Sequence, residues 1–336
     1  MTPTFDTAFC RLVGIQVPIV QAPIGGLATP ELAAAVSEAG GLGMLALTWS
    51  EPDQIDAALA RMRELTEKPF GVNLILQWPQ EARLRQCLEA GVKVVSFFWG
   101  DPSSLVPIAH AGGAVVLHTV GSAPEARDVV EAGVDAVVAQ GWEAGGHVWG
   151  QVATLPLIPR VVDAVAPTPV VAAGGIGDGR GLAAVLALGA SAGWLGTRFV
   201  MTTEAAAHPR YRELLAAATE TSTVYSSLYD VGWPDAPHRT LRNSTFERWV
   251  DAGRPRSGER PGEGDVVART ADGSEVVRYA SSSPRVELEG DIEATSMWAG
   301  QSAGLIETVK PAGDVVRELA EEAAHALRFS SELIRD

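Results

Sequence analysis

Cysteine is scarce: the chain has two, Cys10 and Cys87. That excludes a disulfide framework and a thiolate metal cluster. Basic residues are outnumbered, with 26 Lys and Arg against 41 Asp and Glu and a net charge of −15. Such a surface repels phosphate backbones and anionic lipid, so neither nucleic acid nor a membrane is an expected partner. No run of about 18 apolar residues occurs, so no membrane span is expected. The opening MTPTFDTAFCRLVG has no basic segment followed by an apolar run. No secretory signal is expected, and the expected compartment is cytoplasmic. No H-E-x-x-H or paired His–carboxylate spacing is present, so no catalytic metal is expected. The run GGIGDGRG places Arg180 where a G-x-G-x-x-G starting at Gly175 needs its last glycine. A dinucleotide-binding sheet therefore loses its motif. Neither cysteine ends an apolar strand pattern, which also removes a barrel with a cysteine nucleophile.

What the sequence does have is a repeat. EAGGLGMLAL (38–47), EAGVKVVSFF (89–98), HAGGAVVLHT (110–119) and EAGVDAVVAQ (131–140) each read as helix end, glycine, apolar strand, and ALGASAGWLG (187–196) is a looser copy. Glycine at a helix C-terminus takes a left-handed conformation at no steric cost. The apolar run after it is what a strand covered on both faces requires. KPFGVNLIL, TPVVAAGG and VPIVQAP supply three further strands. The eight expected strands lie near residues 18–22, 42–47, 70–75, 93–98, 114–119, 135–140, 169–173 and 192–196, with amphipathic helical patterns between them. Strict alternation implies a parallel sheet with right-handed crossovers, and eight units imply closure into a (β/α)8 TIM barrel.

The rhythm stops after residue 200. VVARTADGSEVVRYA (266–280) reads as a hairpin turning at Asp272-Gly273, and STFERWV (244–250) has a Ser-x-x-Glu capping box. AGRPRSGERPGEG (252–264) is an exposed loop. The amphipathic stretch from 312 to 335 reads as the eighth barrel helix. The expected organisation is a barrel from residues 1–199 and 311–336, with 200–310 inserted as a lid and substrate subdomain.

In such barrels chemistry sits at the C-terminal ends of the strands. Gly174 and Gly175 after the seventh strand, with Gly196 and Thr197 after the eighth, can offer N–H groups and a hydroxyl to a phosphate. Asp178 reads as a helix cap, and Arg198 faces either the phosphate or solvent. Asn73 and Gln140 end apolar strands and carry amides suited to a heterocycle whose edge alternates donors and acceptors. His147 lies in AQGWEAGGHVWGQ (139–151), after Gly145 and Gly146 and between Trp142 and Trp149. His118 ends the fifth strand. Trp49, Trp78, Trp99, Trp142 and Trp149 follow strands at the same rim and point to apolar pocket walls or to lid packing. Trp194, within a strand, reads as core.

QAPIGGLATPELAAAVSEAGGLG, FGVNL, AQGWEAGGH, AAGGIGDGRG and LGTRF, with MWAGQSAGLI further on, resemble the nitronate monooxygenase family, formerly 2-nitropropane dioxygenases. The resemblance implies non-covalent FMN and oxidation of alkyl nitronates by dioxygen, through a flavosemiquinone, to a carbonyl compound and nitrite. Its partners would be dioxygen and a small nitronate or nitroalkane. By position it implies that the backbone at Ala22, Pro23 and Ile24 runs along the flavin and that Asn73 and Gln140 hold the polar edge. Gly145 would flank the ring, while Gly174, Gly175, Gly196 and Thr197 hold the phosphate. His147 falls at the family's catalytic histidine, either as a cation holding the nitronate or as a neutral base. The same motifs resemble the flavin-dependent, NAD(P)H-dependent enoyl-acyl-carrier reductases, and a non-catalytic flavin-binding protein is the third reading.

Overall fold

The computed structural model describes residues 3–334. Its core is the expected barrel. The strands are β1 (Ile19–Gln21), β2 (Gly43–Ala46), β3 (Phe70–Ile75), β4 (Val94–Phe98), β5 (Val115–Val120), β6 (Ala136–Gln140), β8 (Val170–Ala173) and β9 (Ala192–Leu195). Between β6 and β8 lies a two-residue strand, β7 (Gly146–His147). The eight barrel strands pair in parallel from β2 round to β1. A parallel bridge between Val20 and Leu42 returns β1 to β2 and closes the ring.

The apolar runs are buried on both faces. Val20, Met44, Val94, Leu117, Val138 and Val171 pack inside the barrel, and Phe9, Cys10 and Val13 of the helix Ala8–Val13 join that cluster. The other face of each strand packs against the surrounding helices. Thr29 caps the helix Pro30–Glu38 by accepting the Leu32 N–H, and Asp178 caps Gly179–Ala187 by accepting the Gly181 N–H, as their residue types predict. Gly40, Gly91, Gly133 and Gly189 are left-handed, with φ between 83° and 98°. In the third repeat, HAGGAVVLHT, the left-handed residue is Gly113 (φ 72°), while Gly112 remains helical.

Helix Ala312–Glu332 packs against the helices Gly179–Ala187 and Pro30–Glu38. It therefore occupies the eighth helix position and seals the seam between the last and first units. The intervening chain forms the antiparallel pair β10 (Thr223–Ser226) and β11 (His238–Leu241). A small sheet follows, made of β12 (Val266–Arg269), β13 (Glu275–Val277) and β14 (Glu289–Gly290). The expected hairpin is β12–β13. The capping box was misplaced by one residue: Asn243, not Ser244, caps the helix Ser244–Asp251 by accepting the Phe246 N–H. Ser244 instead donates to the Glu293 carbonyl.

The contact that matters for function is between β11 and β7, where His238 sits opposite His147 and Arg239 opposite Gly146. A strand of the inserted region thus pairs with the barrel loop that carries His147.

Candidate active site

At the C-terminal ends of the barrel strands lies a cavity of about 440 Å³. All the site residues expected from the sequence line it. Ala22, Pro23 and Ile24 enter from the end of β1, Asn73 from β3 and Gln140 from β6. Gly145 and His147 come from the loop after β6, Gly174 and Gly175 from the end of β8, and Gly196 and Thr197 from the end of β9.

Two features at this rim are ready for a polar ligand. Asn73 is buried, yet its carboxamide makes no hydrogen bond within the described residues. The amide opens onto the cavity and so is free to bond a ligand there. Gly174 and Gly175 both have positive φ, 95° and 74°, which turns the backbone so that consecutive N–H groups face one concavity. The N–H groups of Gly175, Gly196 and Thr197 find no acceptor among the described residues. Thr197 Oγ1 accepts the Gly300 N–H at 3.0 Å, so its own hydroxyl hydrogen remains available. Arg198 plays no part here: it is buried and donates to the Thr308 carbonyl, with Glu318 at 4.0 Å. The cradle therefore rests on backbone dipoles.

Gln140 behaves differently from Asn73. Its Nε2 donates to the His147 carbonyl at 3.0 Å and its Oε1 accepts the Trp149 N–H at 2.9 Å. It clamps the histidine loop, with one hydrogen and one lone pair left over. Gly145 is required by close approach, because a Cβ there would lie 2.4 Å from the Gly300 nitrogen.

His147 presents one edge to the cavity and is otherwise enclosed by aromatic rings. Trp233 lies 3.9 Å away between ring centroids, Trp298 5.2 Å and His238 5.7 Å. Its Nδ1 is 3.3 Å from the Ala236 carbonyl and its Nε2 is 3.1 Å from Ser281 Oγ. A carbonyl only accepts, so Nδ1 carries the hydrogen and Nε2 is the acceptor, facing the serine hydroxyl. Burial, with a smaller contribution from neighbouring His238, pushes its pKa down to about 3. The imidazole is neutral at pH 7, which decides between the two protonation states that the sequence left open.

The tryptophans divide. Trp49 lines the cavity, together with Trp194, Trp233 and Trp298. Trp194 packs against the interior core, as expected, and also forms part of the cavity wall. Trp78 and Trp99 instead pack edge-on against Trp233, at 5.2 and 5.1 Å, and Trp149 packs on Trp99. They buttress the inserted region against the barrel. Trp142 lies apart, under the Arg239 guanidinium and beside Tyr225. His118 lines a second cavity on the outer side of β5.

Sequence reasoning missed Trp233, Ala236, His238, Ser281 and Trp298, five residues of the inserted region that surround His147. The serine run at 281–283 in an otherwise ordinary loop was the available signal.

A family model described as nitronate monooxygenase matches residues 6–85 and 79–322. A nitronate monooxygenase of Pseudomonas aeruginosa is 36% identical, the match covering 94% of this chain and 98% of the relative. A Mycobacterium tuberculosis protein is 33% identical over 98% of this chain and 99% of its own. It is named (3aS,4S,5R,7aS)-5-hydroxy-7a-methyl-1-oxo-octahydro-1H-indene-4-carboxyl-CoA dehydrogenase. The solved structure of FabK from Thermotoga maritima superposes with a TM-score of 0.82 at 35% identity, covering 98% of this chain and all of the other.

Proposed function

We infer the function from one premise: this chain belongs to the nitronate monooxygenase family and is a flavin oxidoreductase. We propose that it oxidises alkyl nitronates with dioxygen, giving a carbonyl compound and nitrite, and that its flavin is non-covalent FMN. The observation that carries this reading is a neutral imidazole facing an orphaned amide and a backbone anion cradle across one cavity.

The residues fit the cofactor. Gly174, Gly175, Gly196 and Thr197 would hold the phosphate, Asn73 with the spare valences of Gln140 the ring's polar edge, and the backbone at 22–24 and Gly145 its faces. Bound there, FMN would supply the electron acceptor for the nitronate.

The protein's part is to seat the anion and manage one proton. The nitronate would lie by the edge of His147, beside Ser281, against Trp233 and Trp298. An anion arriving beside a neutral imidazole raises its pKa, so His147 can take up a proton as the substrate enters. Ser281 sets the orientation of that lone pair. The aromatic walls exclude water and strengthen each of these interactions.

Residues 200–310 act in this proposal as a lid whose two ends are anchored at the barrel. Limited proteolysis should cut first in the exposed stretch near 252–264; a stably folded 200–310 fragment would count against a lid.

Reduction or dehydrogenation of an acyl thioester is the second reading, favoured by the relative named as a CoA-ester dehydrogenase. Anaerobic mixing with ethylnitronate and, separately, with NADPH, while the flavin absorbance is followed, distinguishes the two. Bleaching by the nitronate supports the oxidation; bleaching only by NADPH supports the reductase.

A further inference from the structure

The second cavity, about 390 Å³, lies outside the barrel between the loop after β4, strand β5 and the helix Ala123–Glu131. Its charged lining is wholly acidic. Asp101 comes from the loop and Glu125 and Asp128 from the helix. Asp128 is exposed and its carboxylate makes neither a hydrogen bond nor an ion pair among the described residues. Glu125 Oε2 accepts the Gly121 N–H and the Trp149 indole N–H, which leaves its other oxygen free.

The independent feature is His118. It is 4% exposed, lines this cavity, and has no hydrogen bond at either ring nitrogen, Nδ1 being wholly buried without a partner. Burial also pulls its pKa down to about 4, Asp101 offsetting part of the shift. At neutral pH the ring is uncharged and keeps one acceptor nitrogen. Ser103, which could donate, is committed to Asp101.

Three carboxylates and the unpaired acceptor nitrogen of a neutral imidazole suit a positively charged ligand that donates hydrogen bonds. A bare metal ion does not fit, because no group of three metal-binding side chains is close enough among the described residues and the volume far exceeds that of an ion. The carboxylates stand on two separate elements, with the apolar surfaces of Pro102, Val120 and Val129 between them. Several carboxylates beside apolar surface suit several ammonium groups on a hydrocarbon stem.

We propose that this second cavity binds an aliphatic polyamine. The ammonium groups would meet Asp101, Asp128 and the free oxygen of Glu125, with one N–H donated to His118. The Trp149 ring, which borders the cavity, supplies a cation–π face. Trp149 also packs at 4.6 Å on Trp99, and its backbone N–H is held by Gln140, the same amide that holds the His147 carbonyl. Occupancy is therefore linked to the histidine loop and readable from indole fluorescence.

The test is calorimetric titration of the purified, flavin-loaded protein with spermidine, with 1,4-butanediol as uncharged control. Expected is saturable one-to-one binding of spermidine, a change in tryptophan emission, and no heat from the diol. Asp128→Asn should weaken binding about 10-fold and His118→Phe at least 5-fold. Asp251→Asn, an exposed position at the end of the helix Ser244–Asp251, removes the same charge elsewhere and should leave binding within 2-fold. If Asp251→Asn weakens binding as much as Asp128→Asn, or the heat never saturates, spermidine is only screening an acidic surface and the proposal is overturned. If His118→Phe does not fold, the comparison of the two aspartate variants decides.

Discussion

The imidazole of His147 and the indole of Trp233 pack ring against ring, with centroids 3.9 Å apart and planes 39° from parallel. The histidine belongs to the barrel and the tryptophan to the inserted region, so the environment that keeps His147 neutral is built by both. Replacing Trp233 with alanine opens that side to water. Since burial is the main cause of the low pKa, the His147 pKa in Trp233→Ala should rise from about 3 toward the ordinary value near 6.5. Histidine NMR titration reads this directly. A pKa that stays at about 3 would show that the indole does not set it.

His147→Asn removes the lone pair facing Ser281 while keeping a polar side chain of similar reach. Turnover of a nitronate should fall about 100-fold or more, with the flavin still bound. Joint loss of flavin and activity would instead give the residue a structural role.

The purified protein should be yellow, and heat should release FMN rather than FAD. Gly175 has φ 74°, which a β-branched side chain does not tolerate. Gly175→Val should turn its N–H away from the cradle and weaken FMN binding at least 10-fold in a fluorescence titration. Unchanged flavin affinity would remove Gly175 from the phosphate site.

Acid should destabilise the protein through three histidines. Burial depresses His118 to about 4, His147 to about 3 and His238 to about 4. Their folded pKa values lie below the unfolded value near 6.5. Above pH 6.5 neither state binds the protons and the contribution to stability is intact. As pH falls from 6.5 toward 4 the unfolded chain takes them up first, and stability is lost. At pH 5 each group would remove on the order of 1–2 kcal/mol. Thermal melts at pH 7 and pH 5 should differ by many degrees; equal melting temperatures would contradict the shifts.

The cavity walls favour an apolar substrate tail. Trp49, Trp233, Trp298, Ile75 and Phe98 all line it, and each buried methylene is worth up to about 0.8 kcal/mol. Across primary alkyl nitronates of two to eight carbons, kcat/KM should climb with length. A flat series would mean the rings serve only to hold the lid.

The barrel was legible because each unit announces itself locally. A glycine at the helix end and an apolar run after it placed five of the eight strands, and apolar runs alone placed the other three, all to within about one residue. The rim residues followed from the rule that strand ends carry the site. The surroundings of His147 were not legible, because its partners Ala236 and Ser281 are 89 and 134 residues away in the chain, and no local pattern records such a pairing. Asn73 and Gln140 show the same limit: two amides at equivalent strand ends, one unpaired and one committed to a loop, differ only in what folds over them. Asn243 and Ser244 are adjacent residues of equal capping ability, so composition alone could not choose between them.

Thr197 accepts the Gly300 N–H, so the cradle at the barrel rim is stitched to the far end of the inserted region. All five residues of the inserted region around His147, from Trp233 to Trp298, lie between that stitch and the short helix Thr197–Val200. One uninterrupted stretch of gene therefore encodes everything that faces the histidine from above. The proposed cofactor seat is encoded almost entirely outside it. Recombination with joints after Val200 and before Pro311 would graft a new substrate preference onto the same redox engine in a single event, provided the newcomer kept a strand to pair with Gly146 and His147.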